Sequence, residues 1–286
     1  MNASKQTNLG LPFVKMHGLM NDYIYVDGMK SALPDGLPAL ARVMSDRHTG
    51  IGADGLIAIL PSERADARMR MFNADGSEAE MCGNGIRCVA KYLSDRGLVS
   101  STSITIETGA GILTLDVFKE AGKVTAVRVD MGAPELEPAR IPALFSESPP
   151  VNQRIVVDDR EFTVTAIGMG NPHCVIFVEE MDDRLVQEWG PKIEMCRYFP
   201  NRVNVEFVKI VSRGEVIQRT WERGSGETLA CGTGASAVCV AGVLTGQLDR
   251  EIVNHLRGGT LHLNWDEKTG HVFKTGPAVE VFSGVW

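Results

Sequence analysis

Hydrophobic and polar residues alternate along many short segments of the chain, as expected of β-strands with one buried face. Together with short apolar runs, this pattern predicts seven strands in the first half, at residues 13–16, 23–26, 56–60, 68–72, 104–108, 112–118 and 124–130. In the second half it predicts strands at residues 154–157, 162–167, 175–179, 203–210 and 216–222. Most of these segments are short, so the chain is expected to be rich in sheet.

Helical spacing replaces this alternation in three places. The segments Leu37–Ser45 and Gly85–Asp95 are predicted as helices of the first half, and residues 234–244 as a helix of the second. The apolar face of the second helix consists of Ile86, Val89, Ala90 and Leu93. Gly97 and Gly246 follow the last two helices and supply their stop signals.

The two halves of the chain contain similar segments at a nearly constant offset. Met81-Cys82-Gly83-Asn84-Gly85 and Ala230-Cys231-Gly232-Thr233-Gly234 place their cysteines 149 positions apart, and each precedes an apolar run of small residues. Asn21 and Asn171, each at the start of a strand, are 150 positions apart, and Glu78 and Glu227 are 149 apart. Three coincident offsets indicate a duplicated α/β unit.

A length of 286 residues fits two domains. Five prolines lie within residues 133–151, which is therefore the predicted linker. We accordingly expect one domain over residues 1–132 and a second over residues 133–276.

Composition narrows the class of protein. The net charge of −7 and the lack of a Lys/Arg cluster argue against nucleic acid as a partner. No stretch approaches eighteen apolar residues and residues 1–8 lack an apolar signal core, so no membrane association and a cytoplasmic location are expected. The six cysteines are few for this length and are predicted to be reduced. The sequence contains neither a Cys-x-x-Cys nor a His-Glu-x-x-His motif, so a metal site is not expected.

The two Cys-Gly-x-Gly segments carry the most informative chemistry. Each is placed between a strand and an apolar helix, in a turn whose glycines allow unusual backbone angles and expose amide N–H groups. A helix N-terminus carries a partial positive charge, which stabilises a thiolate and attracts a carboxylate. If the halves face each other, Cys82 and Cys231 would flank the α-carbon of a bound amino acid.

Two opposed thiols suit inversion at an α-carbon, because one base removes a proton from one face while an acid supplies a proton to the other. One such cysteine alone would be better explained as a small buried residue, and only the repeat reverses that interpretation. His173, taken alone, fits a structural histidine. The cysteines without a partner in the repeat are predicted to be core or surface thiols: Cys88, Cys174, Cys196 and Cys239. The residues predict an amino-acid racemase or epimerase that uses no cofactor.

Beyond the cysteine turns, further motifs resemble the diaminopimelate epimerase family from Phe13 to Trp286. The matching segments are Lys15-Met16-His17-Gly18-Leu19-Met20-Asn21-Asp22, Gly50-Ile51-Gly52-Ala53-Asp54-Gly55, Phe72-Asn73-Ala74-Asp75-Gly76-Ser77-Glu78, Gly170-Asn171-Pro172-His173-Cys174, Arg202-Val203-Asn204-Val205 and the run Glu222-Arg223-Gly224-Ser225-Gly226-Glu227-Thr228-Leu229 before Ala230-Cys231. In combination these segments are highly specific.

The resemblance implies interconversion of LL- and meso-diaminopimelate in lysine and peptidoglycan synthesis, without pyridoxal phosphate or metal. It implies an α/β (α+β) fold of two pseudo-symmetric domains, each a mixed, largely antiparallel sheet wrapped around a central helix, with the last strand within residues 277–286 returning to the first domain, and a homodimer. It also implies proton transfer by Cys82 and Cys231, assisted by His173 and Glu222. The substrate-binding residues implied are Asn21, Asn73, Gly83, Asn84, Asn171, Asn204, Glu222, Arg223, Gly232 and Thr233.

Three positions depart from the family pattern. Met20 stands where members commonly have glycine, and Gly55 where some have a glutamine that contacts substrate. Phe282 stands where members often carry a tyrosine at the dimer interface. One open alternative is a related racemase acting on proline, hydroxyproline or a basic amino acid. A second is a thiol redox protein in which Cys82 and Cys231 form a regulatory disulfide.

Overall fold

A computed structural model describes residues 10–286 of the chain. The predicted lack of a signal core concerns residues 1–8, which lie outside the described residues. The described chain divides into two compact units, one formed by residues 10–127 with Pro277–Trp286 and the other by Arg128–Gly276. No helix in residues 10–286 is both long enough and apolar enough to span a membrane.

The elements of the first part of the chain are eight strands and two helices. They are β1 (Pro12–Gly18), β2 (Asn21–Asp27), α1 (Leu37–Ser45), β3 (Gly55–Leu60), β4 (Ala67–Asn73), β5 (Glu78–Ala79), α2 (Gly85–Asp95), β6 (Ser103–Thr108), β7 (Gly111–Glu120) and β8 (Lys123–Asp130). Strand β2 pairs antiparallel with β1 and parallel with β3. Strand β4 pairs antiparallel with β3 and β5 and parallel with β6, which then pairs antiparallel with β7.

The second part follows the same plan. Its elements are β9 (Gln153–Val157), β10 (Arg160–Gly168), β11 (Pro172–Phe177), a π-helical turn (Leu185–Trp189), α3 (Gly190–Glu194), β12 (Asn204–Ser212), β13 (Glu215–Glu222), β14 (Gly226–Thr228), α4 (Gly232–Leu244), β15 (Glu251–Leu256), β16 (Gly259–Trp265) and β17 (Val272–Pro277). Strand β11 pairs antiparallel with β10 and parallel with β12. Strand β13 pairs antiparallel with β12 and β14 and parallel with β15, which pairs antiparallel with β16.

The order and direction of these pairings are the same in both units, so β1–β7 correspond to β10–β16 and α2 corresponds to α4. Helix α2 packs against β1, β2, β6 and β7, and α4 packs against β10, β11, β12, β15 and β16. Each unit is thus a mixed, mainly antiparallel sheet around one central helix, which confirms the predicted fold class. The chain ends with β18 (Val279–Val285), which pairs antiparallel with β1.

The central helices are stabilised by burial. In α4 every residue from Gly234 to Gly242 is buried, and in α2 only Lys91 and Asp95 are more than slightly exposed. Helix α1 covers another part of the first unit's sheet and buries Leu37, Ala41 and Met44 against it. Removal of apolar surface from water stabilises the fold by about 25 cal/mol for each Å² buried. It also fixes the N-terminus of each central helix, where a cysteine turn begins.

The predicted bounds of α1 and α2 match the structure, and α4 begins at Gly232 rather than at residue 234. The predicted strands are present, with ends that shift by a few residues. Several elements of the second unit were not predicted: the helical segment from Leu185 to Glu194, and strands β14, β15, β16 and β17. Residues 133–151, the predicted linker, form no regular element apart from a bridge between Glu135 and Gly168.

Candidate active site

Cys82 lies between β5 and α2, directly before the first turn of the helix. Its Sγ atom accepts a hydrogen bond from the Gly85 N–H at 3.3 Å and contacts Asn21 Oδ1 at 3.2 Å, to which the thiol donates. Asn84 is buried in the same turn. The structure therefore brings together four predicted site residues of the first unit: Asn21, Cys82, Gly83 and Asn84.

Tyr23, a neighbour of Cys82, and Asn73 lie in one row of strand residues in the first unit. Strand register places Tyr23 opposite Gly55, and Gly55 opposite Asn73, so these residues form one row across β2, β3 and β4. Burial, and next the charge of the neighbouring Cys82, raises the pKa of the Tyr23 hydroxyl. The Asn73 amide donates to Ser77 Oγ at 3.0 Å. A neutral phenol thus lies beside this thiol, and the Asn73 carboxamide lies two strands away in the same row.

Arg87 is a residue near Cys82 that the sequence analysis missed. Its side chain is fully buried in α2, where Nη1 donates to the Gly83 carbonyl at 2.9 Å and Nε donates to the Pro277 carbonyl at 3.2 Å. Burial lowers the pKa of this guanidinium. The available signal was an arginine inside an apolar helix, five residues after a candidate catalytic cysteine. Arg87 fixes the backbone of the Cys82 turn.

Cys231 is the N-cap residue of α4. Its Sγ accepts a hydrogen bond from the Gly234 N–H at 3.3 Å and lies 3.5 Å from Thr233 Oγ1. The residue is only 4% exposed. Burial raises the pKa of the Cys231 thiol well above its ordinary value, and the neighbouring carboxylates of Glu222 and Glu206 raise it further. Cys231 therefore favours its protonated form more than an exposed cysteine does.

His173 is fully buried beside this thiol and bonds through both ring nitrogens. Its Nδ1 lies 2.6 Å from Glu206 Oε1, and its Nε2 lies 2.8 Å from Asn171 Oδ1. Ligand atoms of His173, Glu206 and Cys231 fall within 4.8 Å of one another. Two ligands of a tetrahedral zinc ion are separated by about 3.3 Å, given Zn–N bonds of about 2.0–2.1 Å. The 2.6 Å separation between His173 Nδ1 and Glu206 Oε1 instead fits a direct hydrogen bond.

The remaining predicted residues of the second unit lie around this pair. Register places His173 opposite Asn204, and continuing the β12–β13 register one residue beyond the Val205–Trp221 pair brings Asn204 opposite Glu222. Asn204 donates to the Pro172 carbonyl at 2.8 Å and accepts from the Arg223 N–H at 2.9 Å, so it holds two loops in place. The guanidinium of Arg223 is exposed, with Nη1 3.3 Å from the Asn201 carbonyl.

Glu222 is the second carboxylate beside Cys231. Thr228 Oγ1 donates a short hydrogen bond to its Oε1. Burial raises the pKa of Glu222, whereas the Thr228 hydrogen bond opposes that rise. Predicted site residues Asn171, His173, Asn204, Glu222, Arg223 and Cys231 are therefore neighbours in the second unit.

The glycines of the two cysteine turns serve close packing. The unusual backbone angles that glycine allows are not used here, because Gly85, Gly232 and Gly234 are absent from the glycines with left-handed φ values. A Cβ at Gly85 would lie 2.6 Å from Ile57 Cδ1, and one at Gly234 would lie 2.5 Å from Glu206 Oε1. A Cβ at Gly232 would overlap Lys274 Nζ. These positions lack a side chain because strand residues fill the space.

Comparison with known proteins identifies the family. The sequence model of diaminopimelate epimerase matches residues 13–137 and 165–281. The chain belongs to the diaminopimelate epimerase family. It is 51% identical over 282 residues to diaminopimelate epimerase of Desulfovibrio desulfuricans, covering 96% of this chain and 98% of the relative, and 52% identical over 277 residues to that of Heliobacterium modesticaldum, covering 96% and 99%.

Solved structures show how widely this fold occurs. A probable proline racemase from Agrobacterium radiobacter K84 superposes with a TM-score of 0.69 at 16% identity, covering 96% of this chain and 92% of that one. A PhzF-family phenazine biosynthesis protein of Bacillus anthracis gives 0.65 at 18% identity, covering 96% and 98%. These likenesses concern the fold. The predicted diaminopimelate epimerase resemblance and isomerase class are confirmed by the family match.

Proposed function

We propose that this chain interconverts LL- and meso-diaminopimelate without a cofactor, with Cys82 and Cys231 as the two acid/base groups. One observation carries the proposal. In each repeat a cysteine lies at the start of the buried central helix, and its Sγ accepts the N–H of the glycine three residues later at 3.3 Å. The two thiols thus occupy equivalent positions in two copies of one unit. A two-base inversion needs such a pair.

The proposed step moves one proton at a time. The thiolate of one cysteine takes the α-proton, leaving the electron pair on the α-carbon, and the thiol of the other cysteine donates its proton to the opposite face. The cysteines exchange roles in the reverse reaction. Backbone N–H groups of Gly83, Asn84, Gly232 and Thr233 are proposed to bind the α-carboxylate, where partial positive charge at the two helix N-termini stabilises the developing carbanion.

The polar residues around the thiols suit a long substrate with two amino-acid ends. Carboxamides both donate and accept hydrogen bonds, so Asn21, Asn73, Asn171 and Asn204 can bind ammonium or carboxylate groups. The exposed guanidinium of Arg223 is a bidentate partner for the distal carboxylate, and Glu222 is a partner for an ammonium group. His173 and Glu222 are proposed to assist proton transfer at Cys231. An apolar ring such as proline would leave these groups unpaired.

We further propose that the enzyme acts in lysine biosynthesis in the cytoplasm as a homodimer. Strand β18 supports the dimer because it exposes several apolar side chains: Val279, Val281, Phe282 and Val285. Phe282 also packs edge-on against Phe13, with ring centroids 6.0 Å apart. Sedimentation of the wild type and of Phe282→Asp tests this point, since a charge on a buried interface should yield monomers. A wild-type monomer would refute it.

The central experiment follows isotope exchange. Reduced protein is incubated with LL-diaminopimelate in deuterated water, and α-deuteration and meso product are followed by NMR. We expect both to appear, and Cys82→Ser or Cys231→Ser to reduce inversion by at least about 10²-fold, because a serine hydroxyl is a much weaker base than a thiolate. Cys196→Ser is the matched control, because Cys196 is partly buried like Cys82 but lies outside both cysteine turns. Folded wild-type protein that incorporates no deuterium would refute the proposal.

A substrate panel tests the remaining alternatives. Proline, hydroxyproline, ornithine, lysine and histidine enantiomers should be inverted far more slowly than diaminopimelate. Efficient inversion of proline would instead support the related racemases. Thiol-dependent changes in the absence of any racemase activity would support the redox alternative.

A further inference from the structure

Cys82 and Cys231 occupy equivalent positions in the repeated fold, but the residues around them differ in charge. Register makes Tyr23 of the first unit equivalent to His173 of the second, and Asn73 equivalent to Glu222. By the same register Ile57, opposite Tyr25, corresponds to Glu206, opposite Val175. Three neutral residues around Cys82 are therefore replaced by three ionisable residues around Cys231.

Glu206 is the residue of this set with no role in the site proposed so far. It is fully buried on β12, and its carboxylate lies against Gly234 in the first turn of α4, where Ile57 fills the equivalent space against Gly85. Its Oε1 bonds to His173 Nδ1 at 2.6 Å. A carboxylate in place of an isoleucine costs desolvation, so its hydrogen bonds and helix-terminus position must offset that cost.

Hydrogen bonds from a row of buried polar side chains hold the Glu206 carboxylate on the side away from His173. Gln218 Nε2 donates to Glu206 Oε2 at 3.2 Å and to Thr220 Oγ1 at 2.9 Å. Asn254 Nδ2 donates to Gln218 Oε1 at 2.6 Å. All four residues are at most 2% exposed. The carboxylate therefore has a fixed orientation, with one oxygen toward His173 and the other toward the amide chain.

We propose that Glu206 is a positioning residue for Cys231: its buried carboxylate orients the His173 ring and favours the thiol form of Cys231 over the thiolate. The inference rests on the proposed function for its catalytic meaning. This effect of Glu206 makes the protonation of Cys82 and Cys231 unequal before substrate binds, with Cys231 as the resting proton donor. The equivalent isoleucine leaves Cys82 without such a neighbour.

Other charged groups face Cys231 as well. Glu222 approaches from β13, His173 lies on β11, and Lys274 on β17 packs its ammonium group against Gly232. These groups are common to the wild type and to a variant changed only at Glu206. A comparison of the two therefore isolates the effect of the Glu206 charge.

The test is site-resolved alkylation of the reduced enzyme by iodoacetamide across a pH series, with each cysteine peptide quantified by mass spectrometry. Only a thiolate reacts, so the midpoint of the rate against pH reports the protonation of each cysteine. In Glu206→Gln the Cys231 midpoint should fall by about one pH unit or more, a tenfold rise in thiolate fraction at fixed pH, while that of Cys82 stays unchanged. Glu206→Asp keeps the charge and should keep the Cys231 midpoint high.

Asp95→Asn is the matched control, because Asp95 is a partly buried carboxylate at the far end of α2, bonded to Lys91 and to the Val124 N–H. It should move neither midpoint. An unchanged Cys231 midpoint in folded Glu206→Gln would overturn the inference, as would an equal shift in Glu206→Asp. Alkylation requires no turnover, so a midpoint shift in a protein that fails the deuterium experiment would reject the proposed function alone.

Discussion

Replacement of Arg87 by methionine tests how the Cys82 turn is held. The substitution keeps an apolar stem in the space of the arginine but leaves the carbonyls of Gly83 and Pro277 without their donor. Each unsatisfied buried acceptor costs about 1–3 kcal/mol, and the release of a buried cation offsets part of the sum. We expect the first unit to lose about 2–4 kcal/mol of its free energy of unfolding, a large fraction of a typical 5–15 kcal/mol.

Urea unfolding, combined with hydrogen exchange of peptides from α2 and β18, measures this loss in the unit concerned. Arg96→Met is the matched control, because Arg96 directly follows the same helix and also reaches β18, where it pairs with Glu280 at 3.1 Å. That pair is partly exposed, so its loss should cost less than about 1 kcal/mol. Turnover should fall only in Arg87→Met. Equal stability losses in the two variants would refute the argument from burial.

Three further predictions concern backbone, packing and pH. Met20 has a φ of 65° and is 57% exposed, so Met20→Gly should raise stability by up to about 1 kcal/mol in thermal unfolding, and a loss would contradict this account. Gly234→Ala should cost about 1–3 kcal/mol and most activity, because the new methyl group overlaps Glu206; unchanged activity would show that the carboxylate can move. The raised pKa of Glu222 adds stability that is complete below its unfolded pKa and is lost as pH rises through its folded pKa. Glu222→Gln should therefore gain stability relative to wild type as pH rises above about 4.3, and a gain confined to acid pH would contradict the sign.

The structure could be predicted best from the sequence where the local signals for a helix or turn are strong. Helices α1 and α2 could be placed to the residue, because their apolar spacing and their flanking proline or glycine signals agree. The family and its cysteine turns followed from long motifs. Strand β16 alternates with Leu261 and Leu263 inward, so its periodicity was available but overlooked.

Other features depend on contacts that no local pattern encodes. Strand β15 places Asn254 at an inward position, which breaks the alternation and makes sense only beside Gln218 on β13. Glu206 lies in an apolar run and could have been noticed as a charge in a buried strand, but its partner His173 is 33 residues away. The packing role of the glycines in the cysteine turns could not be predicted, since the side chains that fill their space come from β3, β12 and β17.

The pairing of β1 with β18 has a consequence for biosynthesis. Strand β1 joins Pro12 to Val285, so one sheet contains both the first and the last strand of the described chain. Arg128–Gly276 can fold as soon as it leaves the ribosome, whereas the first unit lacks β18 until that whole segment has been synthesised. Until then β1 exposes an unpaired edge, and this interval is when the nascent chain is most open to chaperones and to aggregation.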